Sequence, residues 1–341
     1  MKYIDIENVE TTVGQVKLVT LRSNHLEVVL TSFGAGIYRM RYDDIDLVTT
    51  PKNLDDYLRS PAYYGKTIGR HSGRLQGPHY QIDQHVYDVR VDPDQPFQLH
   101  GGQDGLSFRP FTLIGYEHMG GSTNVTFHYN IPSQSDGFPG NLKVDVTYEV
   151  TKDDALRISF HATTSAPTIC HLTNHIYLNV GHPETILDHL LYVDSAHYLD
   201  IDQHYAIKDV KDVVDTPFDF RLPTNIGDRI AKVIQPDVVG YDHCFLLEKH
   251  DDQEPVIQLS HDKNNLTVDV MTDYPAVVLY THNHPAPAPL SHMETNGVHS
   301  SLAVECQYPP DGIHHDALNN GILRPGEVYR KFIMIKPHHK K

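Results

Sequence analysis

Tryptophan is absent and cysteine nearly so: Cys170, Cys244 and Cys306 are the only three in 341 residues. Three scattered thiols exclude a disulfide framework and a cysteine-rich zinc site, and read instead as small buried hydrophobes. Basic residues are also scarce, 28 Lys and Arg against 44 Asp and Glu, for a formal charge of -16. That balance repels phosphate backbones and anionic membrane surfaces, so neither nucleic acid nor a membrane is an expected partner, and a neutral or cationic small molecule fits better. No window holds the roughly 18 to 20 apolar residues of a membrane-spanning helix. Asp5, Glu7 and Glu10 interrupt the apolar stretch that a signal peptide needs. A soluble, cytoplasmic protein is expected. The chain also lacks an H-E-x-x-H zinc motif, a G-x-S-x-G elbow and a phosphate-cradling P-loop, which removes the usual support for metalloprotease, acyl-transfer and nucleotide readings.

Helical periodicity is missing too, and strand-like alternation stands in its place. Val125, Phe127, Tyr129 and Ile131 share one face of a period-2 segment, and Leu142, Val144, Val146, Tyr148 and Val150 share one face of the next. Polar TKDDA follows, and then Leu156, Ile158 and Phe160 alternate again, which predicts a hairpin with a loop of about five residues. Leu266, Val268 and Val270 repeat the texture, and the wholly apolar run Ala276–Tyr280 suits a strand buried on both faces. Glycine and proline, 22 of each, punctuate the chain throughout. The sum is an all-β sandwich or barrel, and without a visible linker or repeat residues 1–341 are expected to form a single domain. Segment 282–301, with Pro285, Pro287 and Pro289, predicts a long loop.

Polar residues in apolar or glycine-rich strand surroundings mark five clusters: GKTIGRHSGRL around Arg74, FQLHGGQDG around His100, CHLTNHIYLNV around His175, VVGYDHCFLL around Asp242 and LAVECQYPPDG around Glu305. Alternation puts Ala303 and Glu305 on one strand face and Val304 and Cys306 on the other. Glu305 is then either a solvent-facing charge on an edge strand or a semi-buried carboxylate whose pKa burial raises towards a general base's range. His175 and Tyr177 project from one face, as a hydrogen-bonded core pair or as a site. His100 precedes two glycines that let a ligand or backbone approach closely, or it lies in a bare loop. The 25 histidines raise the question of a metal. His171 and His175 are four apart, but i and i+4 on a strand stand roughly 13 Å apart, too far for one zinc. His282 and His284 form the other candidate pair, and no metal is expected.

In this order the clusters resemble the aldose 1-epimerase (galactose mutarotase) family. The resemblance rests on GRHSGRL, LHGG, LTNHIYLN, TPFDFR, GYDHCFLL, YPAVVLYT and VECQYPP and runs over nearly the whole chain. It implies an all-β fold, a large antiparallel β-sandwich of the galactose-mutarotase (supersandwich) type, with an open cleft across one sheet. It also implies interconversion of the α and β anomers of a free hexose, galactose or glucose, without metal or organic cofactor. By motif, His175 is the implied general acid and Glu305 the implied general base, both titrating near neutrality, while Arg74, His100 and Asp242 are implied sugar contacts. The alternatives are an epimerase acting on maltose or a hexose 6-phosphate, and a non-catalytic carbohydrate-binding protein. Gly73, His171 and Val278 stand where many relatives carry Asn, Asn and Gln, which leaves the preferred sugar open. Monomer and homodimer remain equally open. Where relatives place a tryptophan after LHGG this chain offers Phe111, so any stacking on the sugar falls to Phe or Tyr.

Overall fold

In the computed structural model, which describes residues 2–181, 184–234, 238–291, 293 and 297–340, the alternating segments pair as their period demands. Leu142–Val150 and Leu156–Thr164 run antiparallel from the Leu142·Thr164 pair to the Val150·Leu156 pair. Residues 151–155 close the hairpin through the Thr151 N–H, which donates to Ala155 O at 2.8 Å. This hairpin lies within a nine-stranded antiparallel sheet, in the order Thr112–Met119, Ser122–Ile131, Leu142–Val150, Leu156–Thr164, Tyr329–His339, Leu266–Thr272, Ile257–His261, Leu190–Val193 and Thr224–Asn225. A five-stranded sheet is built from residues 4–46. The third large sheet has six strands in the order Ile176–Leu178, Leu302–Gln307, Ala276–Tyr280, Asp242–Leu246, His197–Ile201 and Ile207–Asp212.

Each sheet turns one face inward. Val19 and Leu21 of the five-stranded sheet, Val125, Phe127, Val146 and Ile158 of the nine-stranded sheet, and Val277, Leu279 and Val304 of the six-stranded sheet belong to one continuous buried cluster. Each such side chain contributes about 1.5–3 kcal/mol when fully buried, so period-2 patterning alone drives the sheets face to face. The result is an all-β, antiparallel sandwich. All three cysteines are buried and free.

The six-stranded sheet positions the site, because its other face is not part of that core. Val277 and Leu279 point inward, whereas Ala276 and Val278 join a separate small cluster with Leu199 and Cys244. Glu305's strand lies second in the sheet, between Ile176–Leu178 and Ala276–Tyr280, so the edge-strand reading of this carboxylate fails and Glu305 is buried at 2% exposure. Helix is confined among the described residues to short pieces, such as Leu54–Arg59, whose first turn is capped by Asn53 Oδ1 accepting from the Asp55 N–H at 2.8 Å. Residues 292 and 294–296 of the 282–301 segment lie outside the described residues. The remainder of that segment holds no helix and no pairing beyond a single bridge from Leu290 to Pro51.

Candidate functional site

Register lays out the floor of a cleft. Glu305 pairs with Val278, and Val278 with Cys244, across three adjacent strands. Two residues along, Tyr177, Ala303, Tyr280 and Asp242 form a parallel row across four. With neighbouring strands about 4.8 Å apart, the second row spans roughly 14 Å from Tyr177 to Asp242. The cavity above this floor has a volume of about 260 Å³, and Arg74, His100, His175, Asp242 and Glu305 all line it. The structure therefore brings together the five residues marked in sequence, although they span positions 74 to 305.

Arg74 and His100 come from outside the sheet, on a two-stranded ribbon in which Leu99 pairs with Arg74. His100 N–H donates to Gly73 O at 2.9 Å and Gly73 N–H donates to His100 Nδ1 at 3.1 Å. This reciprocal pair orients the ring and assigns the proton of neutral His100 to Nε2. The turn needs its glycine: Gly101 has φ +80°, and a Cβ there would stand 2.6 Å from Gly69 O. His175 is tied to the opposite wall, its N–H donating to Lys66 O at 2.9 Å and its carbonyl accepting from Gly65 N–H at 2.8 Å.

Three titratable side chains converge. His175 Nε2 stands 3.3 Å from Glu305 Oε1, and His100 Nδ1 stands 3.9 Å from Glu305 Oε2. Tyr177 stacks on His175 at 4.8 Å between centroids, and the Tyr63 ring lies 4.8 Å from His100, closing off solvent. Across the cleft Arg74 Nη2 bonds Asp242 Oδ2 at 2.9 Å.

Burial decides the protonation states. It pushes the Glu305 carboxyl well above the usual carboxylate range, with the Asp242 charge adding to the rise and Arg74 opposing it. Burial also takes His175 down to about 4 and His100 well below its ordinary value. The expectation that both members of the pair titrate near neutrality thus fails for His175, because imidazolium loses too much hydration here. For Arg74, burial alone would lower the pKa, but the charge and hydrogen bonds of Asp242 outweigh it and raise it. Both shifts in the pair favour uncharged forms, a protonated Glu305 beside a neutral His175.

One ligand atom from each of His100, His175 and Glu305 lies within 4.8 Å of the others, so this trio, rather than the histidine pairs visible in sequence, is where a metal ion would find donors. Two further expectations change. Phe111 is buried in the main core against Tyr129, and the rings that line the cleft are Tyr63, Tyr177, Tyr205 and Tyr280. His171 does not line the cleft at all: it is fully buried, stacks on His71 at 4.9 Å and bonds Asn320 O through Nε2 at 3.0 Å. Gly73 and Val278 do line it, and a Cβ on Gly73 would meet Pro310 at 2.9 Å. Sequence reasoning notes Tyr177 beside His175 but gives no site role to Tyr63, Tyr205 or Tyr280, since an aromatic residue in a loop or at a strand end carries no local signal that separates core from cleft.

A model of the aldose 1-epimerase family matches residues 17–336. The chain is 31% identical over 326 residues to the aldose 1-epimerase of Escherichia coli K12, covering 92% of each chain. It is 29% identical to the galactose mutarotase of Rattus norvegicus, covering 93% of this chain and 92% of that one. Among solved structures, a galactose 1-epimerase from Lactobacillus acidophilus superposes with a TM-score of 0.88 at 24% identity over 99% of both chains. An aldose epimerase homologue from C. elegans does so with 0.84 at 25% identity, over 99% of this chain and 100% of that one.

Proposed function

Because the chain belongs to the aldose 1-epimerase family, we propose that it interconverts the α and β anomers of a free hexose, galactose or glucose, with Glu305 as general base and His175 as general acid. The observation that carries this is the 3.3 Å approach of His175 Nε2 to Glu305 Oε1 at one cleft, a distance at which both groups reach oxygens on a single carbon. Glu305 as carboxylate takes the proton from the anomeric hydroxyl while protonated His175 gives one to the ring oxygen. The ring opens to the aldehyde, C1 rotates, and closure on the other face runs both transfers backwards. Protons balance, since the pair holds one throughout. Opening leaves protonated Glu305 and neutral His175, the forms that burial favours, while Arg74 supports the carboxylate at the start. His100, Arg74 and Asp242 hold the sugar's remaining oxygens.

Charge favours a free sugar over a phosphorylated one. Arg74 is the sole Lys or Arg among the described residues lining the cleft, and Asp242 already engages it, so a phosphate would lack a clamp. No helix among the described residues is long and apolar enough to cross a membrane, and we place the reaction in the cytoplasm, on a monomer or homodimer. The test is polarimetry on freshly dissolved α-D-galactose, α-D-glucose and maltose, before and after exhaustive EDTA treatment. Acceleration that survives the chelator is expected. No acceleration with any sugar would leave a carbohydrate-binding protein, and activity restored only by one divalent ion would make the histidine–carboxylate trio a metal site.

A further inference from the structure

Tyr205 belongs to none of the motifs above, yet it covers Arg74. It sits in residues 202–206, the tip joining His197–Ile201 to Ile207–Asp212, and it lines the cleft. Its ring centroid is 3.6 Å from Arg74 Cζ, a face-on cation–π contact, and its edge meets Phe97 at 6.1 Å and 87°. Asp242 occupies the two Nη atoms of the same guanidinium, at 2.9 and 3.5 Å. Buried Nε has no partner among the described residues. Arg74 is therefore held on one face and one edge, with its Nε–H and one N–H on each Nη to spare.

The tip is preorganised for this. Asp202 Oδ1 accepts from the His204 and Ala206 N–H groups at 2.7 and 3.0 Å, and Tyr205 N–H donates to Asp202 O at 3.0 Å. Tyr205 itself has φ +61°, a left-handed conformation that Gly or Asn adopts far more cheaply than an aromatic residue. A tyrosine kept where the backbone disfavours it points to the ring's contact rather than the turn. Its hydroxyl bonds no other described residue, so the ring face is what acts.

We propose that Tyr205 is a positioning residue that clamps Arg74 against Asp242 and so fixes the donor geometry offered to the sugar, an inference that rests on the epimerase reading of the cleft. Tyr205→Asn separates this role from a structural one, because asparagine suits the left-handed backbone but has no ring. It should keep or raise the melting temperature while raising KM about tenfold, the scale of one cation–π contact, with kcat changed by less than about threefold. Tyr205→Phe should restore the low KM. In an Arg74→Gln background Tyr205→Asn should add less than about twofold, since no cation is left over the ring. A normal KM in Tyr205→Asn, a phenylalanine variant as impaired as the asparagine one, or a full tenfold loss on top of Arg74→Gln would each overturn the proposal. A readout independent of turnover is the Arg74 Nε–H NMR resonance, assigned by its loss in Arg74→Lys. It should be sharp in the unaltered protein and in Tyr205→Phe and exchange-broadened in Tyr205→Asn, and persistence in the last would overturn the clamp. If no sugar is epimerised the functional reading falls, and this resonance still decides the role of Tyr205.

Discussion

In the proposed reaction Glu305 and His175 hold one proton between them, and burial penalises charge on both, so substitutions there should behave as changes to one unit. Glu305→Gln keeps the shape but cannot take a proton, and His175→Asn keeps a polar donor but cannot deliver one. Each should lower kcat by about 10²-fold or more with the fold intact by circular dichroism. The double variant should lose much less than the product of the two, because both act in one transition state. A folded single variant with near-normal kcat would remove that residue from the proposal. The pair also predicts a pH profile. A second proton binds only near the His175 value of about 4, so kcat/KM should show no acid limb above about pH 5. An acid limb centred near 6.5 would show that His175 is hydrated in solution.

At the scale of elements, the site depends on backbone held in place by turns whose side chains never touch a sugar. The ribbon carrying Arg74 and His100 turns through Gly101, where φ is +80° and a Cβ would meet Gly69 O at 2.6 Å. Gly101→Ala should cost roughly 1–2 kcal/mol from the left-handed backbone alone, with the clash added, and should displace His100. Lower thermal stability together with reduced kcat/KM is expected, and a variant unchanged in both would mean that the turn relaxes freely. The opposite wall is anchored by Lys66, fully buried among the rings of Phe33, Tyr57 and Phe108, its ammonium donating to Leu58 O at 2.9 Å. Burial lowers its pKa to about 7, and its own carbonyl receives the His175 N–H. Aromatic faces and carbonyls, with no carboxylate among the described residues hydrogen-bonded to its Nζ, stabilise what charge it keeps.

The whole molecule should be sensitive to mild acid. Burial lowers His171, His175 and His243 to about 4 and His189 to about 3, from 6.5. The folded pKa values lie below the unfolded one, so as pH falls below 6.5 the unfolded chain binds protons that the folded chain refuses. Stability then drops by about 1.4 kcal/mol per pH unit for each such histidine until its folded pKa is reached. Urea midpoints at pH 7.5, 6 and 5 should decline steeply below pH 6.5, and a flat series would mean that these rings are hydrated. With one buried cluster drawing on all three large sheets, we expect each denaturation to be a single transition, as for one domain across residues 1–341.

Alternation by itself determined the strands from Val125 to Phe160 and the run Ala276–Tyr280, because a period of two leaves side chains only two faces to occupy. The polar residues set among apolar neighbours already marked Arg74, His100, His175, Asp242 and Glu305. What alternation could not determine was whether the Glu305 strand lies at an edge or inside a sheet, which separates a solvent-facing charge from a buried carboxylate. Sheet order decided that, by placing strands on either side of Leu302–Gln307 and burying its carboxylate. Tertiary packing likewise decided that His171 lies behind the cleft, that Phe111 serves the core, and that Tyr205, 131 residues along the chain from Arg74, covers its guanidinium at 3.6 Å. Each of these depends on contacts between residues far apart in the chain, whereas local patterning reports only a residue's immediate neighbours.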